Sequence, residues 1–162
     1  MKKIYAHLPQ YILKTLEKEN LNSIVSHPRK VEGAFVFMDV SGFTSLSENL
    51  SQYGREGTEV LTFEISRFFG KALESVFLFG GDVIKFGGDA LTIFFERKRG
   101  EEKYLLGLRA CVASVEVIEA LKNYQAETKF GNFPLKLKVG ISYGDATFIV
   151  LGDIAKRLEY IF

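Results

Sequence analysis

Two strand-like segments of this 162-residue chain meet an aspartate that lies close to glycine. Asp39 closes the apolar run Ala34–Met38 and opens a short turn that contains Gly42, and Asp89 directly follows two glycines. A carboxylate at the edge of a buried sheet is costly unless a cation or hydrogen bonds compensate for its charge. Two such carboxylates beside glycine turns favour a hard divalent metal ion that holds a polyphosphate.

Apolar periodicity predicts three helices in the larger, C-terminal part of the chain. A short helix is expected to begin at Thr44. A second is expected over about 55–77, where Gly80-Gly81 would stop it. A third is expected over about 101–126, with Cys111 buried among apolar neighbours. The predicted inner face of the second helix comprises Leu61, Ile65, Phe68, Phe69, Leu73 and Val76, and that of the third comprises Leu105, Leu108, Val112, Val115, Ile118 and Leu121.

Short apolar or alternating segments predict the strands. The turn Gly87-Gly88-Asp89 is typical of a hairpin, and Gly144-Asp145 predicts a second turn. The first strand is an unbroken apolar run, as expected of a buried central strand. Strands are predicted over residues 34–40, 82–86, 90–95, 135–141, 146–151 and 156–162.

This order of elements predicts an α+β fold related to the ferredoxin-like βαββαβ plan, with helices on one face of an antiparallel-rich sheet. Residues 33–162 are expected to form that domain. Residues 1–32 are predicted to be an extension that packs on it, with a short amphipathic helix after Pro9. Four apolar residues cannot stabilise such a helix alone. They are Leu8, Ile12, Leu13 and Leu16.

Composition excludes several classes of partner. The formal net charge is +1, so no overall field favours a nucleic acid. No segment approaches the ~20 apolar residues of a membrane span. Cys111 is the only cysteine, which rules out an internal disulfide and favours a reducing compartment. The chain is therefore expected to be soluble and cytoplasmic.

The predicted topology places the first strand beside the hairpin, so Asp39 and Asp89 are expected to share one edge of the sheet. Mg²⁺ prefers one or two carboxylates plus substrate phosphates, and these two aspartates supply that set. The turn from Val40 to Thr44 precedes a helix, whose free N–H groups can receive phosphate oxygens. The Thr44 hydroxyl can cap the helix or touch phosphate. Taken singly, Asp39 fits a strand-end turn or helix cap as well as a metal site, and Asp89 in a Gly-Gly-Asp hairpin is more often a turn residue. Asp82 is best explained as a turn residue.

The motifs around both aspartates resemble those of the class III nucleotidyl cyclases. Residues 37–44 are similar to the first metal motif of that family, and residues 79–91 to the second. The likeness is greatest to the first catalytic half of the soluble, bicarbonate-responsive adenylyl cyclases. It continues through residues 6–9, 139–144 and 151–153, and therefore spans nearly the whole chain.

The resemblance implies conversion of ATP to cyclic AMP and pyrophosphate with two Mg²⁺ ions, or Mn²⁺ in their place. Asp39, Asp89 and the Val40 carbonyl would be the metal ligands. Lys85 matches a position that contacts the purine base in symmetric relatives and bicarbonate in the soluble ones; an exposed lysine on an edge strand is the alternative. Phosphates would be held by backbone N–H groups of Val40, Ser41, Gly42, Phe43 and Thr44.

Two departures from the family pattern affect the expected activity. The asparagine and arginine that stabilise the transition state in relatives follow the last predicted strand, and this sequence ends at Phe162. Ile161 stands where many relatives carry a purine-selecting aspartate. The chain is therefore expected to be a C-terminally truncated domain that is inactive alone and needs a second cyclase half or a homodimer partner.

Two other functions compete with this one. A non-catalytic regulatory domain that senses a nucleotide or an anion would keep the same fold. A diguanylate cyclase would share a Gly-Gly-Asp turn, but its signature continues with a carboxylate and an aromatic residue, where this chain has Ala90-Leu91.

Overall fold

The computed structural model describes residues 8–19, 21–25, 27–153 and 155–162. Ala6 and His7, which begin the family resemblance, lie outside these ranges. The helices are α1 (Gln10–Lys18), α2 (Leu21–Ile24), α3 (Phe43–Ser51), α4 (Gly54–Leu78) and α5 (Lys103–Leu121). The strands are β1 (Arg29–Ser41), β2 (Asp82–Gly87), β3 (Ala90–Glu96), β4 (Gln125–Thr128), β5 (Gly131–Pro134), β6 (Lys136–Asp153) and β7 (Arg157–Ile161).

Five strands form one sheet in the order β2-β3-β1-β6-β7, and their pairings are antiparallel. β1 lies between β3 and β6, which is the strand arrangement of the βαββαβ plan, and β7 extends the sheet beyond β6. The expected α+β, ferredoxin-like fold with an antiparallel sheet is confirmed. β1 begins at Arg29, inside the segment expected to be the N-terminal extension; the division at residue 32 stays a prediction.

Helices α4 and α5 cover one face of the sheet, and the main core lies between them and the inward side chains of β1 and β3. The predicted apolar stripe of α4 is confirmed, since Phe68, Phe69 and Val76 are buried and its other members pack against them. The helix ends at a pair of glycines, as predicted. Gly81 N–H donates to the Val76 carbonyl at 2.8 Å and Gly80, at φ 74°, donates to Phe77 at 3.0 Å. This is a Schellman ending.

Among the residues that the structure describes, the predicted helix α1 covers one end of the opposite face of the sheet. Tyr11 of α1 makes edge-to-face contacts with Phe94 and Phe148, and Ile12 is buried in the same cluster. Pro9 precedes the helix and offers no side-chain cap. The Asp82 carboxylate accepts the Tyr11 N–H at 2.8 Å instead, so a strand residue takes over part of the capping of a helix that is distant in sequence.

Arg109 of α5 ties that helix to the ends of α4 and β3. Its guanidinium donates to both Glu101 carboxylate oxygens at 3.0 Å. It also donates at 2.9 Å to the carbonyls of Phe79 and Glu96. Burial raises the pKa of the Glu101 carboxyl, but hydrogen bonds from Arg109 and from the Lys98 N–H hold that pKa below its ordinary value. Both side chains of the pair are only 12–13% exposed and well satisfied by hydrogen bonds, and removal of one partner from such a largely buried pair is strongly destabilising.

The predicted inner face of α5 is wrong. Five of the six predicted core residues are exposed, and so is Cys111, which was expected to be buried. The helix is apolar almost all round, so its periodicity does not select a side. The true inner face uses small residues that let the helix approach the sheet closely. It comprises Leu106, Ala110, Ala113, Ser114, Val117 and Leu121.

Two further expectations are also wrong, the C-terminal end of α5 and a turn within the segment that forms β6. The helix was expected to reach Ala126, but it ends at Leu121, and Ala126 lies in the two-stranded β4–β5 sheet. The turn expected at Gly144-Asp145 is absent, because β6 runs unbroken from Lys136 to Asp153. Thirteen residues of β1 pair with it, including Gly33 opposite Gly144, and a turn there would leave residues 29–32 of β1 without a partner. The final strand, β7, is confirmed.

Candidate functional site

The β2–β3 hairpin brings Asp89 directly beside the end of β1. Asp39 lies opposite Ala90 in the β1–β3 register, and the Val40 N–H donates to the Asp89 carbonyl at 3.1 Å. Gly88, at φ 69°, forms the tip of the hairpin with Asp89. About 50 residues separate the two aspartates in sequence, and the antiparallel sheet places them at one edge, as the sequence predicted.

The two carboxylates are more accessible than expected. Asp39 is exposed and Asp89 is half-buried, so the expectation of buried-edge charges is wrong for Asp39. The reason is that the C-terminal end of β1 buries one face only, and Asp39 alternates with Phe37 onto the other face. Within the described ranges, neither carboxylate has a hydrogen-bond or ion-pair partner. Both are thus available to a ligand from solvent.

Val40 uses its N–H in the link to Asp89, so this N–H is not free for a phosphate, contrary to the expectation from the sequence. Within a strand, the N–H and C=O of one residue point to the same side. The Val40 carbonyl therefore points toward the side of β1 on which Asp89 lies.

A tight turn joins β1 to α3 at Gly42, which has φ 96° and forms the N-cap of the helix. A Cβ atom at Gly42 would lie 2.6 Å from the Pro134 carbonyl oxygen, so only glycine fits here. The first helical N–H groups, from Phe43 onward, have no partner within the helix. Thr44 lies in the first turn and is exposed, so the predicted capping role of its hydroxyl is wrong, although the hydroxyl remains open to a ligand.

Ser41, the last residue of β1, has a buried hydroxyl without a hydrogen-bond partner among the described residues. A buried polar group without a partner costs free energy and calls for an explanation such as a bound ligand or water. It lies two residues after Asp39, next to the Gly42 turn. The unsatisfied hydroxyl adds a further polar atom to this end of β1.

Two lysines on β6 were missed by the sequence reasoning. Lys138 lies opposite Asp39 and Lys136 opposite Ser41 in the β1–β6 register, and both are exposed. Directly opposed residues share a face of the sheet with Cβ atoms about 4.5–5.5 Å apart. The alternation of residues 135–141 shows that the lysines belong to the wet face, but only the strand pairing shows that they adjoin the aspartates.

Lys85 is exposed on β2 and lies opposite Thr92. It lines an open groove of about 980 Å³ on the uncovered part of the sheet, together with Phe37, Ser142 and Arg157. Phe37 is 55% exposed there, which is unusual for a large apolar side chain on a central strand. Because the groove is open to solvent, the exposed Lys85 side chain is accessible to a ligand.

The donor atoms at the edge of the sheet suit a hard divalent cation. Two unpartnered carboxylates and one carbonyl are oxygen donors of the kind that Mg²⁺ binds when substrate phosphates complete its shell. In the described part of the chain, no cluster of three or more His, Cys, Asp or Glu side chains offers an all-protein metal cage. The residues present therefore fit an ion that is held jointly by protein and phosphate.

Comparison with solved structures identifies the fold. A bacterial light-regulated adenylyl cyclase superposes with a TM-score of 0.74 at 21% identity, over 99% of this chain and 42% of that one. The guanylyl cyclase Cya2 gives a TM-score of 0.61 at 29% identity, over 83% of this chain and 63% of that one. The chain thus has the fold of the catalytic domains of class III nucleotidyl cyclases.

Within this class, the sequence is similar to adenylate cyclase type 10 of Mus musculus, with 30% identity over 153 residues, or 93% of this chain. The chain spans about 9% of the length of that relative. No protein-family model matches the chain. None of the described helices combines the length and apolar character needed to cross a membrane.

Proposed function

We propose that this chain is one catalytic half of an adenylyl cyclase, which binds magnesium and the triphosphate of ATP for conversion to cyclic AMP and pyrophosphate. The observation that carries the proposal is the meeting of Asp39 and Asp89 at one sheet edge, joined by the hydrogen bond from Val40 to Asp89. Similarity to adenylate cyclase type 10 supports the choice of ATP. The single cysteine supports a cytoplasmic setting.

Asp39, Asp89 and the Val40 carbonyl would hold two Mg²⁺ ions, or Mn²⁺. Divalent ions bound there would supply charge neutralisation on the phosphates and activation of the attacking 3′-oxygen. The Gly42 turn would direct the free N–H groups of Phe43 and Thr44 toward phosphate oxygens, an arrangement that the helix dipole favours. The unsatisfied Ser41 hydroxyl lies where it can reorient toward a bound group.

Lys136 and Lys138 would add positive charge on the other side of β1. A triphosphate bound beside Asp39 and Asp89 brings more negative charge than the metal ions alone compensate. Two flexible ammonium groups on the adjacent strand can follow the phosphates without fixed geometry. We therefore include both lysines in the phosphate site, as residues that orient the substrate by charge.

The second half of the active site would come from another cyclase domain, either a second copy or a different half. The groove that contains Phe37 and Lys85 lies on the same face of β1 as Asp39, and this face would be the surface on which a partner domain closes. Groups from the partner would then complete transition-state stabilisation. The polypeptide of residues 1–162 is expected to bind Mg–ATP and to turn it over only when complemented.

Lys85 would contact the purine base or an anion such as bicarbonate in this groove. In a complemented enzyme, Lys85→Ala should alter the ATP/GTP preference or the bicarbonate response, and leave metal-dependent binding in place. Identical nucleotide preference and bicarbonate response in wild type and variant would show that the side chain is only solvated.

The metal site is tested by calorimetric titration of Mg–ATP into wild type, Asp39→Asn and Asp89→Asn. Asparagine keeps the shape of the side chain and removes the charge, and both carboxylates lack protein partners, so thermal stability should stay close to wild type. Loss of one ligand charge should weaken Mg²⁺-dependent ATP binding at least tenfold, or about 1.4 kcal/mol.

Asp153→Asn is the matched control, since Asp153 is an exposed strand residue at the far end of β6 and asparagine retains an acceptor for the Ala155 N–H. Unchanged binding in both site variants would refute the metal site. Intact binding in wild type without turnover in any complemented assembly would favour the regulatory, nucleotide-sensing alternative.

A further inference from the structure

The β4–β5 hairpin is an addition to the βαββαβ plan. It joins α5 to β6, and its strands form a two-stranded sheet separate from the main one. A two-stranded hairpin is at best marginally stable alone in water, so contacts with the rest of the domain hold it in place. Those contacts lie at its middle, its base and its tip.

The middle of the hairpin is anchored in the main core and on α4. Ala126 of β4 is buried, and Phe133 of β5 packs against the same core. Tyr124, which directly precedes β4, donates from its hydroxyl to the buried Glu64 carboxylate at 3.3 Å. The Tyr124 ring also packs edge-to-face on Phe68, with ring centroids 5.0 Å apart. The hairpin is thus joined firmly to α4.

The base of the hairpin lies beside the turn that begins α3. A Cβ atom at Gly42 would lie 2.6 Å from the Pro134 carbonyl oxygen and 3.4 Å from the Leu135 side chain. Leu135 is buried, and its N–H donates to the Tyr124 carbonyl at 3.3 Å, which joins the two sides of the base. Close packing of this kind leaves the turn little room to move toward the hairpin.

The tip of the hairpin lies at the other end of α3. Phe130 stacks on Tyr53, which follows α3, with ring centroids 3.9 Å apart and ring planes 18° from parallel. The neighbouring Lys129 pairs with Glu56 in the first turn of α4. Thr128 shapes the tip, because its hydroxyl accepts the Phe130 N–H at 3.1 Å. The tip is therefore attached to the corner between α3 and α4.

The hairpin thus holds α3 at both ends. Leu46 and Leu50 are buried and keep one side of the helix on the core. Burial of one side opposes separation from the core more strongly than a small shift along the helix axis, because a shift keeps most of the apolar area buried. Contacts at the two ends oppose that shift. They set where the first turn of α3, with its free N–H groups, lies relative to Asp39.

We infer that Phe130 and Tyr53 are positioning residues for the triphosphate, because their stack holds the first turn of α3 in place beside Asp39. Their role rests on the proposed function, in which the free N–H groups of that turn hold phosphate oxygens. The stack lies roughly 15 Å from Gly42, since a helix rises about 1.5 Å per residue, so neither ring would touch a phosphate held there. Both rings act through the position of α3.

Calorimetric titration of Mg–ATP and amide hydrogen exchange test this role on the whole 162-residue chain. Phe130→Ala should weaken Mg–ATP binding about three- to tenfold, because the bound nucleotide must then supply the ordering that the aromatic pair provided. Without nucleotide, the same variant should speed exchange of the Leu46 N–H, which donates to the Gly42 carbonyl at 3.0 Å. Amides of α5 should keep their wild-type protection. Phe130→Tyr keeps the stack and should restore both properties.

A double-mutant cycle shows whether the two rings act together. Tyr53 is 48% exposed, so Tyr53→Ala endangers folding less than Phe130→Ala does. It should weaken binding by a similar factor, and the double variant should lose no more than either single variant. Phe77→Ala is the matched control, because Phe77 is 57% exposed at the opposite end of α4 from the tip. It should leave both Mg–ATP affinity and Leu46 exchange unchanged.

Several results would overturn the inference. Wild-type Mg–ATP affinity in Phe130→Ala and Tyr53→Ala, with or without faster Leu46 exchange, would show that the stack does not position the nucleotide, and it would leave the phosphate site itself in place. Faster exchange throughout the domain in both variants, or an equal loss of affinity in Phe77→Ala, would assign the rings to stability alone. Failure of the wild-type chain to bind Mg–ATP is a separate outcome, which would refute the proposed function together with the positioning role.

Discussion

Gly42 connects the fold to the candidate phosphate site, and Gly42→Ala tests both. The residue has φ 96°, and a left-handed conformation costs an alanine roughly 1–2 kcal/mol. The new Cβ would lie 2.6 Å from the Pro134 oxygen, where ordinary contact begins at 3.4 Å, so the turn must move by about 0.8 Å. Forcing an extra carbon into a packed site costs about 1–3 kcal/mol. The expected loss is therefore about 2–5 kcal/mol.

Gly54→Ala is the matched control, because Gly54 also has a positive φ, 58°, and has open space around the position of a Cβ. It should lose only the backbone part, about 1–2 kcal/mol. For a chain of this length, each kcal/mol lowers Tm by about 2–4 °C, so the two variants should separate clearly in thermal unfolding. Mg–ATP titration should show at least tenfold weaker binding for Gly42→Ala and none of this loss for Gly54→Ala.

Equal stability of the two variants would show that the turn yields to the added carbon at no cost. If the Gly42→Ala variant also bound Mg–ATP with unchanged affinity, the turn would not hold phosphate. A large loss of stability with normal binding would separate the two roles, and it would assign Gly42 to the fold alone.

Three further perturbations test the contacts that support the site. Arg109→Met should lower the free energy of unfolding by about 3–5 kcal/mol in chemical denaturation, because its largely buried carboxylate partner, Glu101, loses its counter-charge. A loss no larger than that caused by substitution of an exposed lysine would contradict this. Hydrogen bonds, chiefly from Tyr143, lower the pKa of Glu32 from 4.5 to about 2. The contribution of ionised Glu32 to the free energy of unfolding is therefore present above pH 4.5 and is lost as pH falls toward 2. Glu32→Gln should flatten the dependence of stability on pH in that window. Asp82→Ala should speed amide exchange at Tyr11, while Asp82→Asn, which keeps an acceptor, should not.

The sequence alone determined those features that neighbouring residues encode. The α4 stripe repeats with one clear period, and the Gly80-Gly81 pair ends it in a defined cap. The hairpin turn that contains Asp89 follows from Gly87 and Gly88, because glycine adopts such a turn without strain. These local rules, combined in order, were enough to predict the ferredoxin-like plan and the meeting of the two aspartates.

Only the tertiary structure decided which side of α5 faces the sheet. Leu108 and Val115 are large and apolar, so the sequence pattern assigns them to the core. Close packing against the sheet instead requires the small side chains of Ala110 and Ala113. The distance between helix and sheet cannot be predicted from the sequence of either element alone. The large residues Leu108 and Val115 therefore lie on the solvent-exposed side of α5.

Pairing across the sheet decided the rest of the site. Lys138 adjoins Asp39 because β6 pairs antiparallel with β1 in the register that sets these two residues opposite each other, and that register is a property of the whole strand pair. The same long-range pairing directs the Val40 N–H to the Asp89 carbonyl, and the Val40 carbonyl points to the same side of β1. Local sequence thus determined which residues could carry the chemistry, and strand register, which depends on the whole sheet, determined which of them meet.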